Sequence, residues 1–244
     1  MKKKTKFGIA GILSATALAF SSIVAMAADV DVYAEGAYTA TELVVSIYAD
    51  INTDPLVSAG VQLAYDNSRL TVASTQKNDT DWYFGTSDAK YPYQDPQDTG
   101  SAVVFLCGKI DENAPTAGVA GARKLIGTVT FTRSESGIPE KDPTTGNAAA
   151  YFGSSLGLGV VRPAPDEFAN FVTTNETVLD ASGVDLSSVL IYERGDANAS
   201  GGINVNDILK VKSLINSVSF PPYADCNSSG NINVNDILCV KSKL

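Results

Sequence analysis

The chain contains no histidine. That absence alone excludes a Ser-His-Asp or Cys-His nucleophile centre, and any His-ligated zinc or iron site, built from its own residues. Cysteine is almost as scarce: Cys107, Cys226 and Cys239 are too few for a disulfide scaffold, and their odd number leaves at least one free or joined to another molecule. Tryptophan occurs once, at Trp82. Positive charge is in short supply, with eighteen basic residues against twenty-seven acidic ones.

Four of those eighteen, Lys2, Lys3, Lys4 and Lys6, stand at the very start, ahead of an apolar run over 7–24 and the small-residue triplet Ala25-Met26-Ala27. This is the pattern of a secretory signal peptide, with cleavage expected after Ala27 and no membrane anchor left behind. Without that segment, fourteen basic residues face twenty-seven acidic ones, a net charge of −13. Such a chain repels nucleic acid and anionic membranes, so a nucleic-acid partner is excluded and a secreted, cation-binding protein is favoured. About 217 residues remain, enough for one medium and one small domain.

An internal repeat closes the chain. Residues 196–214 align without gaps on 225–243, offset by twenty-nine positions, and fourteen of nineteen are identical. Each copy carries side-chain oxygens at loop positions 1, 3, 5, 9 and 12: Asp196, Asn198, Ser200, Asn204 and Asp207, then Asp225, Asn227, Ser229, Asn233 and Asp236. A hard cation such as Ca2+ gathers six to eight oxygens, so a short loop must curl and turn alternate side chains inward. Gly201 and Gly230 stand at position 6, where the chain turns sharply, and the position-7 carbonyls of Gly202 and Asn231 complete the set. A helix should follow each loop, with Asn206 or Asn235 as its cap and apolar residues at Ile208, Leu209, Val211 and Leu214, or at Ile237, Leu238, Val240 and Leu244. No helix-forming stretch precedes either loop, so each unit is half an EF-hand.

This duplicated loop-helix pattern, over about 195–244, closely resembles the type I dockerin family. The resemblance implies two calcium ions held by the residues just named, and docking on a cohesin module of a scaffold protein. It also implies partner-facing residues at Val205, Asn206, Lys212 and Ser213, mirrored by Val234, Asn235, Lys241 and Ser242. Internal symmetry would allow docking in two orientations. The second helix has room only to Leu244, several residues less than its twin, which counts against equal use of both.

Between 28 and 193 the chain alternates short apolar runs (43–49, 57–63, 70–74, 102–106, 125–131, 189–192) with clusters of Gly, Pro, Asn and Asp. Leu43-Val44-Val45-Ser46-Ile47-Tyr48 is rich in β-branched residues and Gly127-Thr128-Val129-Thr130-Phe131 alternates, as strands with one buried face do. The expected fold is mainly β: an antiparallel jelly-roll β-sandwich at 28–193, then a small α-helical dockerin domain at 194–244. The strands from Val61 to Val72, Val103 to Leu106 and Lys124 to Phe131 look like those of the cohesin family, a fold that several carbohydrate-binding modules share.

Trp82, Tyr83, Tyr91 and Tyr93 crowd one inter-strand segment. Exposed in a row they would stack on sugar rings; folded back, the reading to which the sequence leans, they would cover one end of the sandwich. Glu35, Glu42, Glu112, Glu167 and Glu176 fall at expected strand ends or loops, and nothing selects a catalytic carboxylate pair from among them. Taken together, the two resemblances imply a secreted, non-catalytic adaptor of a cellulosome-type complex, whose dockerin would meet a scaffold cohesin while its sandwich would receive a dockerin-bearing enzyme. The alternative is an accessory subunit whose sandwich binds polysaccharide.

Overall fold

The computed structural model describes residues 28–82, 94–109, 117–159, 171–179 and 183–244. The expected signal peptide and Tyr83, Tyr91 and Tyr93 lie outside them. Among the described residues ten strands precede two helices: β1 (Val30–Tyr38), β2 (Glu42–Ala64), β3 (Leu70–Lys77), β4 (Gln94–Asp98), β5 (Ala102–Gly108), β6 (Val119–Arg133), β7 (Ser155–Leu158), β8 (Phe171–Thr173), β9 (Val178–Leu179) and β10 (Val184–Glu193). After them come α1 (Val205–Leu214), a 3-10 turn (Pro222–Ala224) and α2 (Val234–Ser242). No helix among the described residues is long and apolar enough to cross a membrane.

β2 organises the sandwich. The segments 43–49 and 57–63, expected as two strands, form one strand of twenty-three residues that passes from one sheet to the other. Its first half buries Leu43, Val45, Ile47, Ala49 and Ile51 and pairs with β1 on one side and β6 on the other. Asn52, Thr53 and Asp54 are exposed, the register with β6 slips between Ile51 and Leu56, and Pro55 has no N–H to give a ladder, so the strand turns a corner there. The second half pairs with β5, β7 and β8. One sheet thus runs β10-β1-β2-β6-β3 and the facing one carries β4-β5-β2 with β7, β8 and β9 beyond.

Among the described residues the pairing is antiparallel except between β1 and β10, which run parallel. The antiparallel sandwich expected from the sequence thus carries one parallel pair. Parallel neighbours need a long crossover, and here the rest of the sandwich supplies it by separating the first strand from the last. Phe105, Phe131, Phe152 and Phe171 fill the space between the sheets with the aliphatic residues of β1, β2 and β6. Phe105 of β5 lies directly against Gly127 of β6 across the core, a position with no room for a side chain.

A second cluster of Ala197, Val211, Ala224, Cys226, Ile232 and Val240, joined by Ile203, holds the two loop-helix copies together. A disulfide between Cys226 and Cys239 closes part of the second copy, and Cys107 is free and buried in the sandwich.

Candidate calcium-binding and docking site

Both loops fold alike because the same residues stand at the same places. Position 4, Ala199 or Ser228, and position 6, Gly201 or Gly230, have positive φ in each copy, and two left-handed residues so close together curl the chain on itself. The curl brings the backbone N–H groups inward. Asp196 accepts from the N–H of Ser200 at 2.9 Å and of Gly201 at 2.8 Å; Asp225 accepts from Ser229 at 3.0 Å and Gly230 at 2.7 Å. Asp207 and Asp236 reach back from position 12 to the N–H of Asn198 and Asn204, or of Asn227 and Asn233, which ties the two ends of each loop together.

All four aspartates are buried. Burial pushes the Asp196 carboxyl above the usual carboxylate range, the nearby charge of Asp207 adding to it and the N–H donors opposing it. Asp225 is raised in the same way, burial first and Asp236 contributing. Each loop thus holds two enclosed carboxylates that repel one another, an arrangement a divalent cation would relieve. The hydroxyl of Ser200 lies 3.1 Å from the carbonyl of Gly202 and 3.5 Å from Asp196 Oδ1; Ser229 lies 3.0 Å from the carbonyl of Asn231. Oxygens on adjacent corners around a calcium ion stand about 3.4 Å apart, and in the first loop the oxygens of positions 1, 5 and 7 lie at comparable separations.

Position 9 departs from the expectation. Asn204 and Asn233, rather than Asn206 and Asn235, cap the helices: each accepts from the backbone N–H two residues on, at 2.9 and 2.8 Å, and Asp207 or Asp236 completes a capping box. The helices therefore start directly after the cap, and the asparagine amide nitrogens face the loop oxygens, with Asn204 Nδ2 3.0 Å from the carbonyl of Gly202. A ligand at position 9 would in this placement act through water. The α2 helix is not several residues shorter than its twin, for α1 also stops early: Ile215 turns extended and Asn216 is left-handed, steering the chain toward Pro221.

Val205, Asn206, Lys212 and Ser213 are exposed, as are Val234, Asn235, Lys241 and Ser242. Leu209 and Leu238, among the apolar residues expected along the helices, are 61 % and 58 % exposed and stand one turn after Val205 and Val234, themselves 62 % and 59 % exposed. The signal was present in the four-residue spacing, which puts Val205 with Leu209 on one stripe while Ile208 and Val211 take another. Leu244 is exposed as well. The result is a pair of matching apolar stripes, one per helix.

In the sandwich, Trp82 is 2 % exposed and its indole N–H donates to the carbonyl of Leu125 at 3.1 Å, so it has no free face for a sugar ring. Glu35 and Glu42 are engaged with Arg123 and Arg194, Glu35 from the middle of β1 rather than from a strand end. Glu176 lies on a turn, and Glu112 and Glu167 fall outside the described residues.

Residues 194–244 match the family model of the dockerin type I domain. Domains of this type bind calcium. A comparison with curated proteins finds no match. Similar solved structures include one of the sixth cohesin of scaffoldin B from Acetivibrio cellulolyticus in complex with a dockerin (8 % identity, 66 % of this chain and 96 % of that one, TM-score 0.40). Another is a cohesin-dockerin complex from Clostridium thermocellum (15 %, 68 % and 97 %, 0.38), and a third a non-cellulosomal cohesin from the archaeon Archaeoglobus fulgidus (13 %, 67 % and 88 %, 0.37).

Proposed function

We propose that this chain is a secreted, non-catalytic adaptor of a cellulosome-type assembly. Residues 194–244 act as a dockerin that binds two calcium ions and docks on a scaffold cohesin, and residues 28–193 form a cohesin-like sandwich that receives a dockerin-bearing subunit. The observation that carries the reading is the duplicated apolar stripe, Val205 with Leu209 and Val234 with Leu238, left open to solvent on a segment that matches the dockerin model. Exposed leucine at equivalent places in both repeats suits a partner surface better than an isolated fold. The burial of Trp82 weakens the carbohydrate-binding alternative, because the one tryptophan is unavailable for stacking.

The full chain, immobilised with calcium, should capture isolated scaffold cohesins and release them in chelator. Leu209→Asp with Leu238→Asp should abolish capture while leaving calcium uptake unchanged. The same chain should also retain dockerin-bearing enzymes after its own dockerin is saturated with cohesin. Retention on insoluble glycan, with no dockerin captured, would replace the adaptor by the accessory-subunit reading.

A further inference from the structure

The two loops carry the same side chains at every position from 5 to 12 except 7, yet their surroundings differ. The first loop is pressed against the sandwich. Gly201 touches Gly146 backbone to backbone: a Cβ on Gly201 would stand 2.7 Å from Gly146 Cα, and its carbonyl oxygen accepts from Lys141 Nζ at 2.8 Å. Ala199 packs with Tyr192 and Tyr223, whose rings meet edge to face at 5.1 Å. The supporting turn is itself pinned, since Gly146 donates to the carbonyl of Asp142, and Asn147 both accepts from Ile191 N–H and donates to the carbonyl of Val189 on β10.

Among the described residues the second loop meets nothing of the sort. Residues 227–231 are exposed and no atom lies within 4 Å of where a Cβ on Gly230 would be. In its place the disulfide joins Cys226, at loop position 2, to Cys239 on α2 across thirteen residues, where the first copy has Ala197 and Lys210.

We infer that each calcium loop is pre-organised by a different brace, the first by Lys141 and Gly146 of the sandwich and the second by the Cys226–Cys239 bridge, so that the two sites are separately tunable. This rests on the proposed binding of calcium at both loops. A loop already held in its binding shape gives up less conformational entropy when it takes the ion, so removing a brace lowers affinity at that loop alone. Lys141 is a positioning residue here. Its charge also opposes a cation, so the sign of its effect separates bracing from repulsion.

The test uses the full chain in two backgrounds. Asp225→Ala leaves calorimetry to report calcium at the first loop, and Asp196→Ala leaves it to report the second. In the first, Lys141→Met should weaken calcium about tenfold, Lys141→Arg should restore it, and replacing the bridge by the residues of the other copy (Cys226→Ala with Cys239→Lys) should change nothing. In the second background the bridge replacement should weaken calcium about tenfold and Lys141→Met should be silent; Cys226→Ser with Cys239→Ser provides a milder form of the same change. Hydrogen exchange in chelator supplies a readout without metal: Lys141→Met should speed exchange only over 198–201, and bridge removal only over 227–230. Tighter calcium binding in Lys141→Met, or substitutions that act on both loops or on neither, would overturn the inference. Loss of calcium binding in both backgrounds, with the exchange pattern still split, would sink the calcium reading and leave the braces standing.

Discussion

The guanidinium of Arg123 is bound to the carboxylate of Glu35 by two hydrogen bonds, of 3.0 and 2.5 Å, and gives a further N–H to the carbonyl of Phe220 at 2.9 Å. It lies over the ring of Tyr48 at 4.2 Å, which in turn stacks on Tyr33. Burial works against the charge of Arg123, but the bond and charge of Glu35 outweigh it and hold the guanidinium above its usual pKa. Residue 123 thus clamps β1 of the sandwich to the connector between the two loop-helix copies.

Removing this clamp should loosen both. Arg123→Met leaves Glu35 enclosed without its partner and should cost about 2 kcal/mol, less than for a fully enclosed pair. Adding Glu35→Gln should recover part of the loss, as a chemical unfolding series on the two single variants and the double would read. Equal midpoints for all four chains would mean that the pair is idle.

At Gly127 the Phe105 ring fills the space a side chain would need, and the carbonyl of Gln76 lies 2.8 Å from that point. Gly127→Ala should destabilise the sandwich by about 1–3 kcal/mol, the usual cost of overpacking. Phe105→Leu should be less harmful in that background than in the unchanged chain, and a double-mutant cycle measures the difference. Additive effects would place the strain elsewhere, at the Gln76 carbonyl.

Trp82→Phe removes the indole donor to Leu125, a carbonyl that still accepts from Asn78 Nδ2 at 2.8 Å. The loss should therefore be modest, about 1 kcal/mol in unfolding free energy. Retention on glycan gels should be the same with tryptophan or phenylalanine, and a fall in retention would return Trp82 to the surface chemistry the sequence offered it.

The turn that supports Gly146 is held by Asp142, whose carboxylate accepts from the backbone and hydroxyl of Thr145 and from the N–H of Thr144. These bonds, Thr145 first, keep its carboxyl below the ordinary value. A carboxyl depressed on folding stabilises the fold above the unfolded titration near pH 4, and that contribution disappears as pH falls through the lower folded value. The gap in unfolding midpoint between the unchanged chain and Asp142→Asn should close on acidification through that window. A gap of constant size would show that charge is not what Asp142 contributes.

Much of the carboxyl end was legible because its information is local. Loop positions 1, 3, 5, 6 and 12 recur at a fixed offset in both copies, and twelve residues of chain suffice to say which side chains can meet. The departure there is also local in kind: loop spacing offers Asn204 and Asn233 to the ion and leaves Asn206 and Asn235 as caps, whereas one side chain can face the helix with its oxygen and the loop with its nitrogen, as Asn204 does.

In the sandwich, alternation marked β6 and short apolar runs marked β3 and β5, the last buried at every position, but β4 was missed, since its residues Gln94-Asp95-Pro96-Gln97-Asp98 have no apolar pattern to read. Short β7, β8 and β9 were missed for the same reason, as too few residues to show a period.

The sequence by itself determined a mainly β chain ending in two half-EF-hands, because strand alternation and loop spacing are written within a few residues. Tertiary structure alone decided that β1 and β10 run parallel, that Cys226 pairs with Cys239 while Cys107 stays buried, and that Gly146 meets Gly201. Those contacts join residues far apart in the chain, except for the disulfide, and each depends on which faces the packed sheets and helices leave for one another, a quantity no local pattern encodes.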